Sequence, residues 1–255
     1  MPARTTRRRQ RDGLLHVAHT LQRSLLPEAL PKLEGLRLAS IYRSADRQSE
    51  AGGDFYDVFQ APSGCWLVVG DVCGKGVEAA AVTAMVRHSI RALAFRENSP
   101  AAVLETVNEV MLSHDLLGRF ATAIVARIDR AASPGGQALA ILASAGHPPP
   151  VLLGPDGDAQ CPATGGTLLG VLPQPVLEDL EIALAPGSTL VFYTDGLVES
   201  GAPAQTLSLW DLCRELAGHA QCTPRTLAGM LESLAVSRGA GRLRDDVAIL
   251  AARVG

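Results

Sequence analysis

The stretch GGDFYDVFQAPSGCWLVVGDVCGKG, residues 52–76, decides how this chain reads. Phe55–Phe59 and Trp66–Val69 are short runs rich in aromatic and β-branched residues, and Pro62-Ser63-Gly64 between them is a turn signal. The stretch therefore predicts two strands. An aspartate stands beside glycine at each end, Asp54 after Gly52-Gly53 and Asp71 after Gly70. Aspartate is depleted inside strands and favoured in turns, so both are expected at strand ends. Aspartate stands beside glycine again at Tyr193-Thr194-Asp195-Gly196, and at the edge of an apolar run at Arg244-Asp245-Asp246-Val247.

Outward from this stretch, strands are expected at Leu36–Tyr42, Phe120–Ile128, Ala138–Ala143, Val151–Leu153, Leu177–Leu184, Thr189–Tyr193 and Val247–Val254. Helices are expected over 77–95, from Ser99-Pro100 to His114, over 207–219, and over 224–237 behind Thr223-Pro224. Strands outnumber helices and come in hairpin-like runs instead of alternating with them. That pattern points to an α+β fold over a doubly wound sheet or an α/β barrel. No linker divides residues 31–255, which read as one domain. Residues 1–11, MPARTTRRRQR, read as a basic disordered arm. Within 12–30, Leu14, Ala18, Leu21 and Leu25 fall on one helical stripe with the spacing of a coiled-coil seam. The stripe must bury itself on its own domain or across a weak homodimer.

The chain has 255 residues, 47% of them hydrophobic, and a formal net charge of −3. At this length about 70% of the extended chain's surface can be buried, so the core needs no staples. The charge excludes the basic field of a dedicated nucleic-acid binder. No apolar run reaches the roughly 20 residues of a membrane span. His16, His19, Gln22 and Arg23 interrupt what would be a signal peptide's apolar region. The five cysteines form no CxxC pair, which argues against zinc and a disulfide framework and fits a cytoplasmic protein.

Strand ends collect at the rim of a sandwich, where residues distant in sequence can meet. Carboxylates brought within about 4 Å repel by roughly 4 kcal/mol per pair at an effective dielectric near 20, so such a cluster calls for cations. With neither His nor Cys among the acidic residues, an all-oxygen set selects Mg²⁺ or Mn²⁺. A carboxylate-held metal pair can activate a water and clamp a phosphoryl group. Arg43 and Arg47 precede the first motif and could grip a substrate phosphate through paired hydrogen bonds.

The ordered set GGDFYD, GDVCGKG, SAGHPPP, GGTLLGVL, LVFYTDGLVES and RDDVAIL resembles the PPM-type (protein phosphatase 2C-like) serine/threonine phosphatases, most of all their SpoIIE/RsbU branch. The resemblance covers about residues 33–254. It implies an α-β-β-α four-layer sandwich with a binuclear Mn²⁺ or Mg²⁺ site between two mainly antiparallel sheets. It implies hydrolysis of phosphoserine or phosphothreonine on a regulatory protein, of the anti-sigma-antagonist type, by a metal-activated water. By position, Asp71 would bridge both ions, Val72 would lend its carbonyl, and Asp54 would serve the second ion. Asp195 and Asp245 would bind the first, Asp246 would be a further metal ligand, and Asp57 would play a structural part or support the ligands from behind. Residues 12–30 would be a linker or switch helix, and a separate activator protein is a possible partner. Lys75 stands where several relatives have histidine, so no histidine acid is assumed there; a lysine attracts phosphate. Ala248 replaces a common hydroxyl residue, and the branch's glycine-rich phrase after Asp195-Gly196 is missing. His147, in the AGHPPP segment, reads as a hydrogen-bonded structural residue. A regulator that binds without turnover would lack one or more of the aspartates. A nucleotide cyclase would need an acidic residue after Asp54 and would leave the other three motifs unexplained.

Overall fold

The structure, a computed structural model, describes residues 20, 25–45, 52–129, 137–203 and 206–255. Among these residues ten strands form two antiparallel sheets of five. The first sheet holds β2 (Phe55–Ala61), β3 (Gly64–Val72), β4 (Ala121–Asp129), β5 (Ala138–Ala145) and β8 (Leu180–Leu184), in that spatial order. The second runs β1 (Leu36–Arg43), β10 (Val247–Val254), β9 (Thr189–Tyr193), β6 (Val151–Leu153) and β7 (Ala159–Gln160). Helices α1 (Val77–Leu93) and α2 (Pro100–Leu112) cover the first sheet. A single turn, α3 (Asp195–Val198), follows β9, and α4 (Leu209–Leu216) and α5 (Pro224–Arg238) cover the second sheet. The result is the four-layer α-β-β-α sandwich.

Strand periodicity explains the layers. On β3, Trp66, Val68 and Val72 face α1 and α2, while Cys65, Leu67 and Val69 face the other sheet. On β10, Val247, Ile249 and Ala251 face the outer helices, while Ala248, Leu250, Ala252 and Val254 fill the space between sheets. Central strands covered on both faces read as continuous apolar runs instead of alternating ones. Such a run ends at Val69 in the sequence, yet β3 continues to Val72. Gly70 carries it through, because a Cβ there would lie 2.6 Å from both the Phe55 ring and the Thr122 carbonyl oxygen.

The helix signals act as the sequence suggests. The Ser99 side chain accepts from Ala102 N at 3.0 Å, and the Thr223 side chain accepts from Thr226 N at 3.1 Å. The helix expected over 207–219 is shorter at both ends. Ser208 caps it in a capping box with Asp211, and Ala217 leaves the helical region at ψ 140° before Gly218 at φ 78°. The strand expected from Leu177 begins at Leu180, and Leu177 makes only an isolated bridge to Gly166. β7 and α3, two and four residues long, are too short to leave a periodic signal.

The arm at 1–11 and the stripe positions Leu14, Ala18 and Leu21 lie outside the described residues. Leu25, the last of the stripe, is buried within the single chain, and Leu26 packs against the core between the sheets. Among the described residues no helix is long and apolar enough to cross a membrane.

Candidate metal centre

Two strand pairs build the acidic rim. In the first sheet Phe55 pairs with Gly70, so Asp54, one residue before β2, comes beside Asp71 near the end of β3. In the second sheet Tyr193 pairs with Ile249, so Asp195 just beyond β9 comes level with the residues leading into β10, Asp245 and Asp246. Packing of the sheets brings both pairs to one rim. Carboxylate oxygens of Asp54, Asp71 and Asp195 lie within 4.8 Å of one another. Asp54 is buried, Asp71 is half-buried and Asp195 is exposed. The chain passes between them because residue 53 is glycine; a Cβ there would lie 2.0 Å from the Val72 carbonyl oxygen and 2.5 Å from Asp71 Oδ1.

These carboxyls are reluctant to ionise. Burial, reinforced by the neighbouring Asp71 charge, raises the Asp54 pKa well above the ordinary carboxylate value. Burial and Asp195 push Asp71 up to about 6. Asp195, though open to solvent on one side, is raised as well, by the partial desolvation its neighbours impose and then by Glu199 and Asp245. An all-oxygen set of mutually repelling, desolvated carboxylates fits a hard divalent cation.

Asp245 is exposed, and its Oδ1 accepts from Lys75 Nζ at 2.9 Å and from Asp246 N at 3.0 Å. Burial alone would lower the Lys75 pKa, but the hydrogen bond and charge of Asp245 outweigh it and raise it. Asp246 is buried and turned toward the segment after β1. Its Oδ2 accepts from the Tyr42 hydroxyl, and its Oδ1 accepts from Ala45 N at 2.9 Å. Its charge still contributes to raising Asp54. Arg43 is exposed, with Nη1 on Glu232 of α5 at 3.1 Å. Arg47 lies outside the described residues. Asp57 is fully buried away from the triad, ion-paired to Arg87 at 3.1 Å and Arg91 at 2.9 Å on α1.

Three positioning groups emerge with the tertiary structure. Thr194 Oγ1 donates to Asp54 Oδ2 at 2.6 Å and accepts from Ala248 N at 2.9 Å, tying the two sheets together. The quoted Tyr-Thr-Asp-Gly segment contains Thr194, but nothing local says where its hydroxyl points. Tyr42 reads only as a strand residue. His147 is buried and bridges Thr122 of β4, by Nδ1 at 2.9 Å, to the Tyr193 carbonyl of β9, by Nε2 at 3.1 Å. Thr122 is the strand partner of Asp71, and Tyr193 lies two residues before Asp195. Burial pulls the His147 pKa down to about 4, only partly opposed by the Tyr193 carbonyl. The ring is therefore neutral near pH 7; Nε2–H donates to the carbonyl, and Nδ1 accepts the Thr122 hydroxyl.

Comparison with known proteins agrees with this geometry. Residues 61–255 match the family described as stage II sporulation protein E (SpoIIE). The chain is 26% identical over 223 residues to protein IcfG of Synechocystis, covering 76% of this chain but 34% of that protein. It is 22% identical over 240 residues to phosphoserine phosphatase RsbU of Bacillus subtilis, covering 94% of this chain and 69% of that one. The chain thus spans about a third of one curated relative and about two thirds of the other. Among solved structures, the RsbU and RsbW domains of Rv1364c from Mycobacterium tuberculosis align with TM-score 0.70 and 29% identity, over 89% of this chain and 61% of that one. The SiaA-PP2C domain of Pseudomonas aeruginosa aligns with TM-score 0.76 and 24% identity, over 98% of each chain. A profile match over most of the length, the same four-layer fold and the acidic rim between its sheets agree: the chain belongs to the SpoIIE family, in the SpoIIE/RsbU branch of the PPM-type phosphatases.

Proposed function

We propose that the protein is a metal-dependent phosphatase that removes phosphate from phosphoserine or phosphothreonine on a regulatory protein. The observation that carries the reading is the convergence of Asp54, Asp71 and Asp195 within 4.8 Å at the rim between the sheets. In this reading Asp54, Asp71, Asp195 and Asp245, with the Val72 carbonyl, would hold two Mn²⁺ or Mg²⁺ ions, Asp71 being shared between them, Asp54 serving one and Asp195 and Asp245 the other. The ions would supply an activated water and neutralise charge at the phosphoryl group. Thr194 orients Asp54, and His147 holds the strands of Asp71 and Asp195 at a set separation. Asp246, held by Tyr42 and Ala45, steadies the segment that presents Asp245. Lys75, Arg43 and Arg47 add positive charge for the substrate phosphate, Lys75 once a cation replaces it at Asp245.

Membership of a family that includes RsbU supports a role in partner-switch signalling, with a phosphorylated anti-sigma-antagonist type protein as substrate. A separate activator and weak pairing through residues 12–30 complete the reading. The test is hydrolysis of a phosphoserine peptide by the purified chain with Mn²⁺ and with EDTA. Activity should require the cation, and Asp71→Asn should lower it roughly 10²-fold or more, as expected for lost charge stabilisation at a reacting centre. Full activity of Asp71→Asn would overturn the assignment.

A further inference from the structure

The two thiols of Cys161 and Cys213 lie far from the acidic rim in sequence and serve no purpose in the chemistry above. Cys161 follows β7, and Cys213 lies on α4. Their sulfurs are 3.1 Å apart, about 1 Å beyond a disulfide bond length of about 2.05 Å. Both are free and half-buried, within reach of small solutes. Cys161 Sγ also approaches the carbonyl oxygen of Leu209, the first residue of α4, at 3.9 Å. Among the described residues no third metal-ligating side chain joins the two sulfurs, so the pair is not a soft-metal site. Tyr193 belongs to the apolar cluster both cysteines pack against; its hydroxyl is buried without a hydrogen-bond partner among the described residues, and burial, then negative charge on the two neighbouring sulfurs, raises its pKa.

We infer that Cys161 and Cys213 form a reversible thiol–disulfide site that latches α4 onto the β6–β7 edge of the second sheet. The oxidant class is a peroxide. Both sulfurs are half-buried, so either can meet the peroxide first, and the steps balance equally from either one; starting at Cys213, they run through a sulfenic acid. The Cys213 thiolate attacks one peroxide oxygen, the O–O bond breaks, and the departing hydroxide takes up a proton as water, leaving a sulfenic acid. The Cys161 sulfur then attacks the Cys213 sulfur as the S–O bond breaks. The hydroxide released takes the Cys161 proton and leaves as a second water. Two thiols are oxidised to one disulfide, and one peroxide is reduced to two waters. The bond closes a loop between positions 52 apart that contains Asp195, and both cysteines pack against the apolar cluster that holds Val191 and Tyr193 of β9.

The full chain, reduced and freed of reductant, is treated with hydrogen peroxide, alkylated and digested without reductant for mass spectrometry. The expected product is a linked peptide pair containing Cys161 and Cys213, two hydrogens lighter, with Cys65, Cys73 and Cys222 alkylated. Closing a loop of this length should raise the melting temperature by roughly 5–15 °C, reversibly with dithiothreitol. Cys161→Ser and Cys213→Ser should each abolish the link, and Cys222→Ser should keep it. Absence of the pair after complete peroxide treatment, or links formed mainly between molecules through Cys73 or Cys222, would overturn the site. A linked protein that melts no higher than the reduced one would overturn the latch. None of these readouts depends on phosphatase activity.

Discussion

Thr194 gives its hydroxyl proton to the most deeply buried member of the acidic triad and is itself fixed by the Ala248 amide. Thr194→Val keeps the shape and removes both bonds, leaving the Asp54 carboxylate without its donor. Loss of a buried hydrogen bond of this kind costs about 1–3 kcal/mol. We expect a lower melting temperature and weaker Mn²⁺ binding by calorimetry; unchanged values for both would refute the role. His147 makes a pH prediction. Folded, it protonates near pH 4; unfolded, near its ordinary 6.5. Between these values the unfolded chain binds the proton and the folded chain does not. The stability contributed is therefore complete above pH 6.5 and lost as pH falls toward 4, about 3 kcal/mol in all. Asp71 acts in the opposite sense in metal-free protein. Its raised pKa favours the folded state below the ordinary carboxylate value, a gain lost as pH rises through about 6. Comparing wild type with His147→Gln in EDTA cancels the carboxylate part. The difference in unfolding free energy should shrink as pH drops from 7 to 4, and a constant difference would contradict the buried neutral ring.

At the scale of elements, α1 is fastened to β2 by charge as well as by packing. Asp57 is fully buried between Arg87 and Arg91, and Arg91 also lies 4.6 Å over the Phe59 ring. Removing one partner of a buried pair leaves the other charge uncompensated, at a cost of about 3–5 kcal/mol. Asp57→Asn should lower the urea midpoint accordingly and leave the Mn²⁺-dependent rise in melting temperature intact. Loss of that rise would instead place Asp57 in the metal centre. The elements themselves were largely legible. Ser99-Pro100 and Thr223-Pro224 announce their helices, and the apolar runs of β3, β9 and β10 announce theirs. The boundaries that moved have local causes: the Ser208 cap, Gly70 under the Phe55 ring, and a Leu177 that bridges without extending the ladder.

For the whole molecule, the rim is a place where the fold holds repelling charges together. A cation that binds only the folded state stabilises it by RT ln(1 + [L]/Kd), about 2.7 kcal/mol at a hundred times Kd. For a chain of this size that corresponds to a melting temperature roughly 5–10 °C higher. Scanning calorimetry with millimolar Mn²⁺ and with EDTA measures it, and Asp71→Asn should remove most of the gain. An identical melting temperature in both conditions would count against a preformed acidic cluster.

The sequence by itself determined the types of all but the two shortest elements, β7 and α3, and the placing of Asp54, Asp71, Asp195 and Asp245 at strand ends. Those signals are local: an apolar run meets an aspartate, with a glycine beside it at Asp54, Asp71 and Asp195 and a second aspartate beside it at Asp245. The tertiary structure alone decided which carboxylates converge. That depends on pairings such as Phe55 with Gly70 and Tyr193 with Ile249, and on how the two sheets stack. It alone turned Asp246 toward Tyr42 and Ala45, aimed Thr194 at Asp54 and set His147 between the sheets. It also brought Cys161 within 3.1 Å of Cys213 across 52 positions. The physical reason is one of range. Strand register and sheet packing are fixed by apolar contacts and hydrogen bonds between distant residues, and a single sequence displays only its neighbours.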